Sequence, residues 1–85
     1  MRVAAQLGRR IRQLRQSNGW TQQKLATLAG LQRTHITRIE CGDFNPQLDT
    51  LEQIVDALEV SFAVLFAEIT TTNQQIKSKR KNGFG

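Results

Sequence analysis

Apolar residues recur at helical intervals along most of this chain. Val3, Leu7, Ile11 and Leu14 follow one another at spacings of four, four and three, which sets them on one face of a helix. Asn18-Gly19 ends that run, and Gly19 suits a left-handed cap. Thr21 is a good N-cap for a second helix through Leu25, Ala26 and Ala29, which stops at Gly30. A third helix is expected from about Gln32 to Cys41, with Ile36 and Ile39 facing inward and Gly42 as its stop. Asp43-Phe44-Asn45-Pro46 reads as a loop. Leu48, Leu51, Ile54, Val55 and Leu58 mark a fourth helix, whose first turn carries Asp49 and Glu52 toward the positive end of its dipole. Ser61 caps a short fifth helix containing Phe62, Leu65 and Phe66. Beyond Ile69 the periodicity ends.

These elements predict an all-α fold of five compact helices over residues 1–69. Residues 70–85 are polar and basic and are expected to form a flexible tail. The chain has 85 residues, which allows one small domain. A domain of this size buries roughly 60% of the surface its unfolded chain exposes, so self-association is a natural source of extra stability. The seam is expected on the fourth and fifth helices, within 48–69, around Leu58, Val60, Phe62, Val64 and Phe66, since aromatic side chains are enriched in such interfaces.

Charge is ordered along the chain rather than mixed. From Met1 to Ile39 the charged residues are Arg2, Arg9, Arg10, Arg12, Arg15, Lys24, Arg33 and Arg38, all positive. From Glu40 to Ile69 they are Glu40, Asp43, Asp49, Glu52, Asp56, Glu59 and Glu68, all negative. Lys77, Lys79, Arg80 and Lys81 follow in the tail. Segregation of this kind gives a folded domain a basic side, for which a polyanion is the natural partner.

The second and third helices carry the sharpest signal. Two short helices joined at Gly30-Leu31 make a tight turn between crossed helices. Ala26 is the small residue the crossing needs, Gly30 tolerates positive φ, and Ile36 and Ile39 anchor the inner face of the third helix. The remaining face reads Arg33, Thr34, Thr37 and Arg38, groups that reach phosphates and base edges and contribute nothing to a core.

From Gly8 to Leu65 the sequence resembles the lambda-repressor and Cro-like superfamily, the XRE type. The likeness rests on Ile11-Arg12-Gln13-Leu14-Arg15, Gly19-Trp20-Thr21-Gln22, Leu25-Ala26, Ala29-Gly30, Ile36-Thr37-Arg38-Ile39-Glu40, Gly42, Asn45-Pro46 and Ala57-Leu58-Glu59-Val60. Within that superfamily, Arg33-Thr34-His35-Ile36-Thr37 and the five-helix length are similar to controller proteins of restriction–modification systems. The resemblance implies a lambda-repressor-like helix-turn-helix domain, its unit at about 21–41, and sequence-specific regulation of transcription by a homodimer on near-palindromic double-stranded DNA. It implies base contacts from Arg33, Thr34, Thr37 and Arg38, and backbone phosphate contacts from Gln22, with Arg12, Gln23, Lys24 and His35 beside it. Lysine in the first turn of a helix opposes the dipole, which makes better sense with a phosphate there. The resemblance also implies a structural ion pair between Arg15 and Glu40. An antitoxin that binds DNA and masks a toxin is the competing function, with the tail after Thr70 as its partner-binding segment.

Other chemistry is not expected. No serine–histidine–acid set, metal constellation or glycine-rich phosphate loop occurs, so neither enzyme activity nor a cofactor is expected. His35 has no ligand partners at metal spacing. Cys41 is alone and makes no internal disulfide, Trp20 is expected in the core, and no apolar run approaches the ~20 residues of a membrane span. The N-terminal residues lack an apolar signal region, and the whole suits a reducing cytoplasm.

Overall fold

A computed structural model describes residues 2–67 and 69. The proposed tail, 70–85, lies outside the described residues. Five helices follow in order: α1 (Val3–Ser17), α2 (Gln22–Ala29), α3 (Arg33–Cys41), α4 (Leu48–Leu58) and α5 (Phe62–Leu65). No strand occurs among the described residues.

The helix ends follow local chemistry. Thr21 Oγ1 accepts the Lys24 amide at 3.0 Å at the start of α2, and Ser61 Oγ accepts the Val64 amide at 3.1 Å at the start of α5. Each hydroxyl satisfies one of the donors a helix start leaves unpaired. Gln32 stands at the N-cap of α3 without a side-chain bond, so that helix begins one residue later than the periodicity suggests. Three helices close with the paired backbone bonds of a Schellman motif: Trp20 to Arg15, Leu31 to Ala26 and Val60 to Val55. The last of these places Glu59, not a glycine, in the left-handed region at φ 58°.

The core draws on every helix. Leu7 and Ile11 of α1, Leu25, Ala26 and Ala29 of α2, Ile36 and Ile39 of α3, Leu51, Ile54, Val55 and Leu58 of α4, and Leu65 of α5 are buried together. Trp20, Leu14 and Phe44 pack against them, half-buried. The centre of α1 lies against the C-terminal end of α3 with almost no space between backbones. A Cβ on Gly8 would collide with the Ile39 carbonyl oxygen and sit 2.9 Å from that of Glu40. Glycine is thus required there by close approach rather than by its torsion angles.

Two apolar residues depart from the pattern. Leu48 carries the helical spacing of α4 yet is 69% exposed, because it lies in the first turn, ahead of the packed stretch. Leu58, expected in the dimer seam, is only 5% exposed and belongs to the core. Its side chain is packed within the domain and is not available on the surface of a single copy.

Candidate nucleic-acid interface

The α2–turn–α3 unit is set by small residues and inward anchors. Ala26 is fully buried, and its small side chain lets α3 approach α2. Gly30 turns the chain at φ 75°, a conformation that strains any residue with a Cβ. From α4, Gln53 Nε2 donates to the Ala29 carbonyl at 3.0 Å and so closes the end of α2. With Ile36 and Ile39 buried, the opposite side of α3 presents Arg33, Thr34 and Arg38 to solvent, and Thr37 and His35 lie half-buried beside them. Arg12 on α1 and Gln23 and Lys24 on α2 are exposed; Gln23 Nε2 also donates to Thr27 Oγ1 at 3.0 Å.

A polar network stitches this unit to α1. Arg15 Nε donates to Glu40 Oε2 at 2.7 Å and Nη2 to Oε1 at 3.0 Å, a bidentate pair whose side chains are 10% and 4% exposed. Arg15 Nη1 donates to the Trp20 carbonyl at 2.7 Å. The hydrogen bond to Glu40 holds the Arg15 pKa above its ordinary value; burial opposes this and the Glu40 charge adds to it. Gln22 Nε2 donates to Glu40 Oε1 at 3.0 Å, and Gln22 Oε1 accepts from Thr37 Oγ1 at 2.8 Å. Glu40 therefore sets the amide orientation: the reverse orientation would turn a carbonyl oxygen against a carboxylate. Only one of the two Nε2 hydrogens is taken by Glu40, so the other remains for a ligand. Thr37 has a single proton, shared between Gln22 and the Arg33 carbonyl, 3.1 Å away. The two helices are thus joined through their side chains, with Gln22 and Thr37 coupled rather than independent.

Two features were not legible in the sequence. Arg10 is not merely part of a solvated basic face: its Nε and Nη2 donate to the Val64 carbonyl at 3.2 and 3.0 Å, tying α1 to α5. Phe44, assigned only to a loop, folds back on α3. Its ring meets His35 edge-on, with centroids 5.1 Å apart, and lies under the Arg38 guanidinium at 4.8 Å. The one signal for it was an aromatic residue in an otherwise polar loop.

Phe62 and Val64 on α5 and Phe66 just after it are 36%, 40% and 38% exposed, and the two rings stack with centroids 6.2 Å apart. Val60 is half-buried at the edge of the core. Among the described residues, no three His, Cys, Asp or Glu side chains gather as metal ligands, and no helix is long and apolar enough to cross a membrane. Cys41 is free and exposed.

Two crossed helices joined by a tight turn, the second presenting arginine and threonine outward, define a DNA-binding helix-turn-helix domain. The comparison with known proteins agrees. The helix-turn-helix family profile matches residues 11–65, and the chain belongs to this family, in its XRE-type branch. It is 33% identical over 69 residues to the immunity repressor protein of Bacillus phage phi105, covering 81% of this chain and 48% of the repressor. The chain thus spans about half the length of that relative. It is 35% identical over 63 residues to the antitoxin HipB of Escherichia coli K12, covering 74% of this chain and 72% of HipB. Among solved structures, the restriction–modification controller protein C.AhdI of Aeromonas hydrophila superposes with a TM-score of 0.72 at 33% identity, covering 74% of this chain and 96% of C.AhdI. The described residues carry a DNA-binding helix-turn-helix domain.

Proposed function

We propose that the chain is a transcriptional regulator that binds a near-palindromic operator as a homodimer, with α3 of each copy in the major groove. The observation that carries this reading is the exposed Arg33–Thr34–Arg38 face of α3, held rigid by the Arg15–Glu40–Gln22–Thr37 network. Arg33, Thr34, Thr37 and Arg38 take the base-reading roles. Arg33, in the first turn of α3, has the planar fork that matches the two acceptors of guanine. Arg12, Gln22, Gln23, Lys24 and His35 take the phosphate roles, which fix register without reading sequence.

One recognition helix reads too few base pairs for a genome, so two copies are needed. Val60, Phe62, Val64 and Phe66 form the seam in this reading, supported by three apolar side chains that stand exposed on and beside one short helix. Half-sites then lie about 34 Å apart or a multiple of that. A regulator of this kind acts in the cytoplasm. Selection of bound sequences from random DNA should return a near-palindrome, and light scattering should give a dimer. A strict monomer at high micromolar concentration, with and without the selected DNA, would overturn the dimer.

The similarity to HipB supports a second reading, a DNA-binding antitoxin. Co-purification of a second, toxic chain from the native host is the result that would favour it.

A further inference from the structure

The chain leaves α3 through Gly42, at φ 82°, and two residues later the Phe44 ring returns to the helix just completed. His35 and Arg38, three residues apart, are neighbours on one face of that helix. The ring engages both. Arg38 lies over its face at 4.8 Å, and His35 meets it at an interplanar angle of 78°. Together with Gln32 and Thr34 they line an open depression of about 270 Å³ beside the exposed face of α3.

The arginines of this domain differ in what holds them. Arg15 and Arg10 spend their N–H groups inside the protein, on Glu40 and Trp20 and on Val64. Arg38 makes no hydrogen bond or ion pair among the described residues, yet its guanidinium carbon lies over the Phe44 ring, 4.8 Å from the centroid. A cation–π contact engages the charge of a guanidinium with the ring and uses none of its N–H donors in a hydrogen bond. His35 is likewise placed by packing: its Nε2 is buried with no hydrogen-bond partner among the described residues.

Building on the DNA-binding reading above, we propose that Phe44 is a specificity-determining positioning residue. Its ring holds Arg38 and His35 in one arrangement, so that Arg38 presents its donor edge to a base instead of ranging among phosphates. A free arginine loses its rotamer freedom when DNA binds, whereas a stacked one has lost much of it beforehand. The benefit goes to the one sequence whose acceptors meet the preset edge, so Phe44 acts on discrimination more than on general affinity. It contacts no base in this scheme and acts through Arg38.

The test uses the full chain and two duplexes, the sequence selected from random DNA and an unrelated one. Phe44→Leu keeps apolar bulk and removes the π face. It should weaken binding to the selected duplex by about three- to tenfold and to the unrelated one by less than about twofold. The salt slope should be unchanged, since no charge is removed. Phe44→Trp, a better cation–π platform, should bind as the wild type does. In an Arg38→Ala background, Phe44→Leu should cost little further. Equal losses on both duplexes, or losses in Phe44→Leu and Arg38→Ala that simply add, would overturn the proposal. The DNA-free protein offers a check that no variant's folding can obscure: ring current from Phe44 should shift the Arg38 δ-protons upfield, and unshifted δ-protons overturn the stack. A wild-type chain that selects no sequence at all would overturn the regulator reading and this role with it. A selected sequence with Phe44 uncoupled from Arg38 overturns this role alone.

Discussion

Arg15→Ala should be among the most damaging single substitutions in the domain, because Arg15 is a buried charge paired within the fold. It would remove two charge-assisted hydrogen bonds from Glu40 and the donor that satisfies the Trp20 carbonyl. Glu40, with its side chain 4% exposed, would keep only the Gln22 amide as a partner. Stranding one member of a buried pair costs about 3–5 kcal/mol. Whole domains are stable by about 5–15 kcal/mol, so at least about a fifth of the total is at stake. For a domain of this size each kcal/mol moves Tm by about 4–8 °C, which makes the expected drop at least about 12 °C. Arg15→Lys keeps the charge but cannot fork across both carboxylate oxygens, so it should recover only part of the loss. Because the folded-state pKa of Arg15 is raised, its contribution is complete below the ordinary arginine range and is lost only as pH rises through the still higher folded value. The deficit of Arg15→Ala should therefore not shrink between neutral and mildly alkaline pH. Urea unfolding followed by circular dichroism decides the matter. A variant within about 1 kcal/mol of wild type would show that the pair is solvated and worth no more than a surface bridge.

Gly8→Ala should destabilise by about 2 kcal/mol or more, since the new methyl group meets two carbonyl oxygens of the α3 backbone rather than a side chain able to move; the same denaturation assay reads it. Glu59→Gly should instead stabilise, by about 0.5 kcal/mol, because it removes a left-handed residue with a Cβ at the end of α4 and gives back only part of that in chain entropy. Arg33→Ala should cost about 1–3 kcal/mol on the selected operator and much less on random DNA. Arg12→Ala should weaken both alike and lower the slope of log K against log salt by about one unit; anisotropy titrations at several salt concentrations separate the two behaviours.

What the sequence determined by itself was the local layer. Helix spans follow from apolar spacing, and their ends from Thr21, Ser61, Gly30 and Gly42, because a cap or a left-handed turn is settled by a few neighbouring residues. The order of charges and the polar side of the third helix were equally legible, and likeness to a family named Arg15 and Glu40, 25 positions apart in the chain and 2.7 Å apart in the fold. The tertiary structure alone decided which members of a pattern are spent. Leu48 and Leu58 share one helical stripe, yet Leu48 lies outside the packed stretch and Leu58 inside it, so only packing could bury Leu58 and leave Phe62, Val64 and Phe66 exposed. Arg10, Arg15 and Arg38 are indistinguishable as letters. One closes on the Val64 carbonyl, one on a buried carboxylate, and one on an aromatic face. Those partners come from segments remote from the first two arginines and, for Arg38, from a loop that reverses on its own helix, and periodicity carries no information about where a reversed or distant segment will lie.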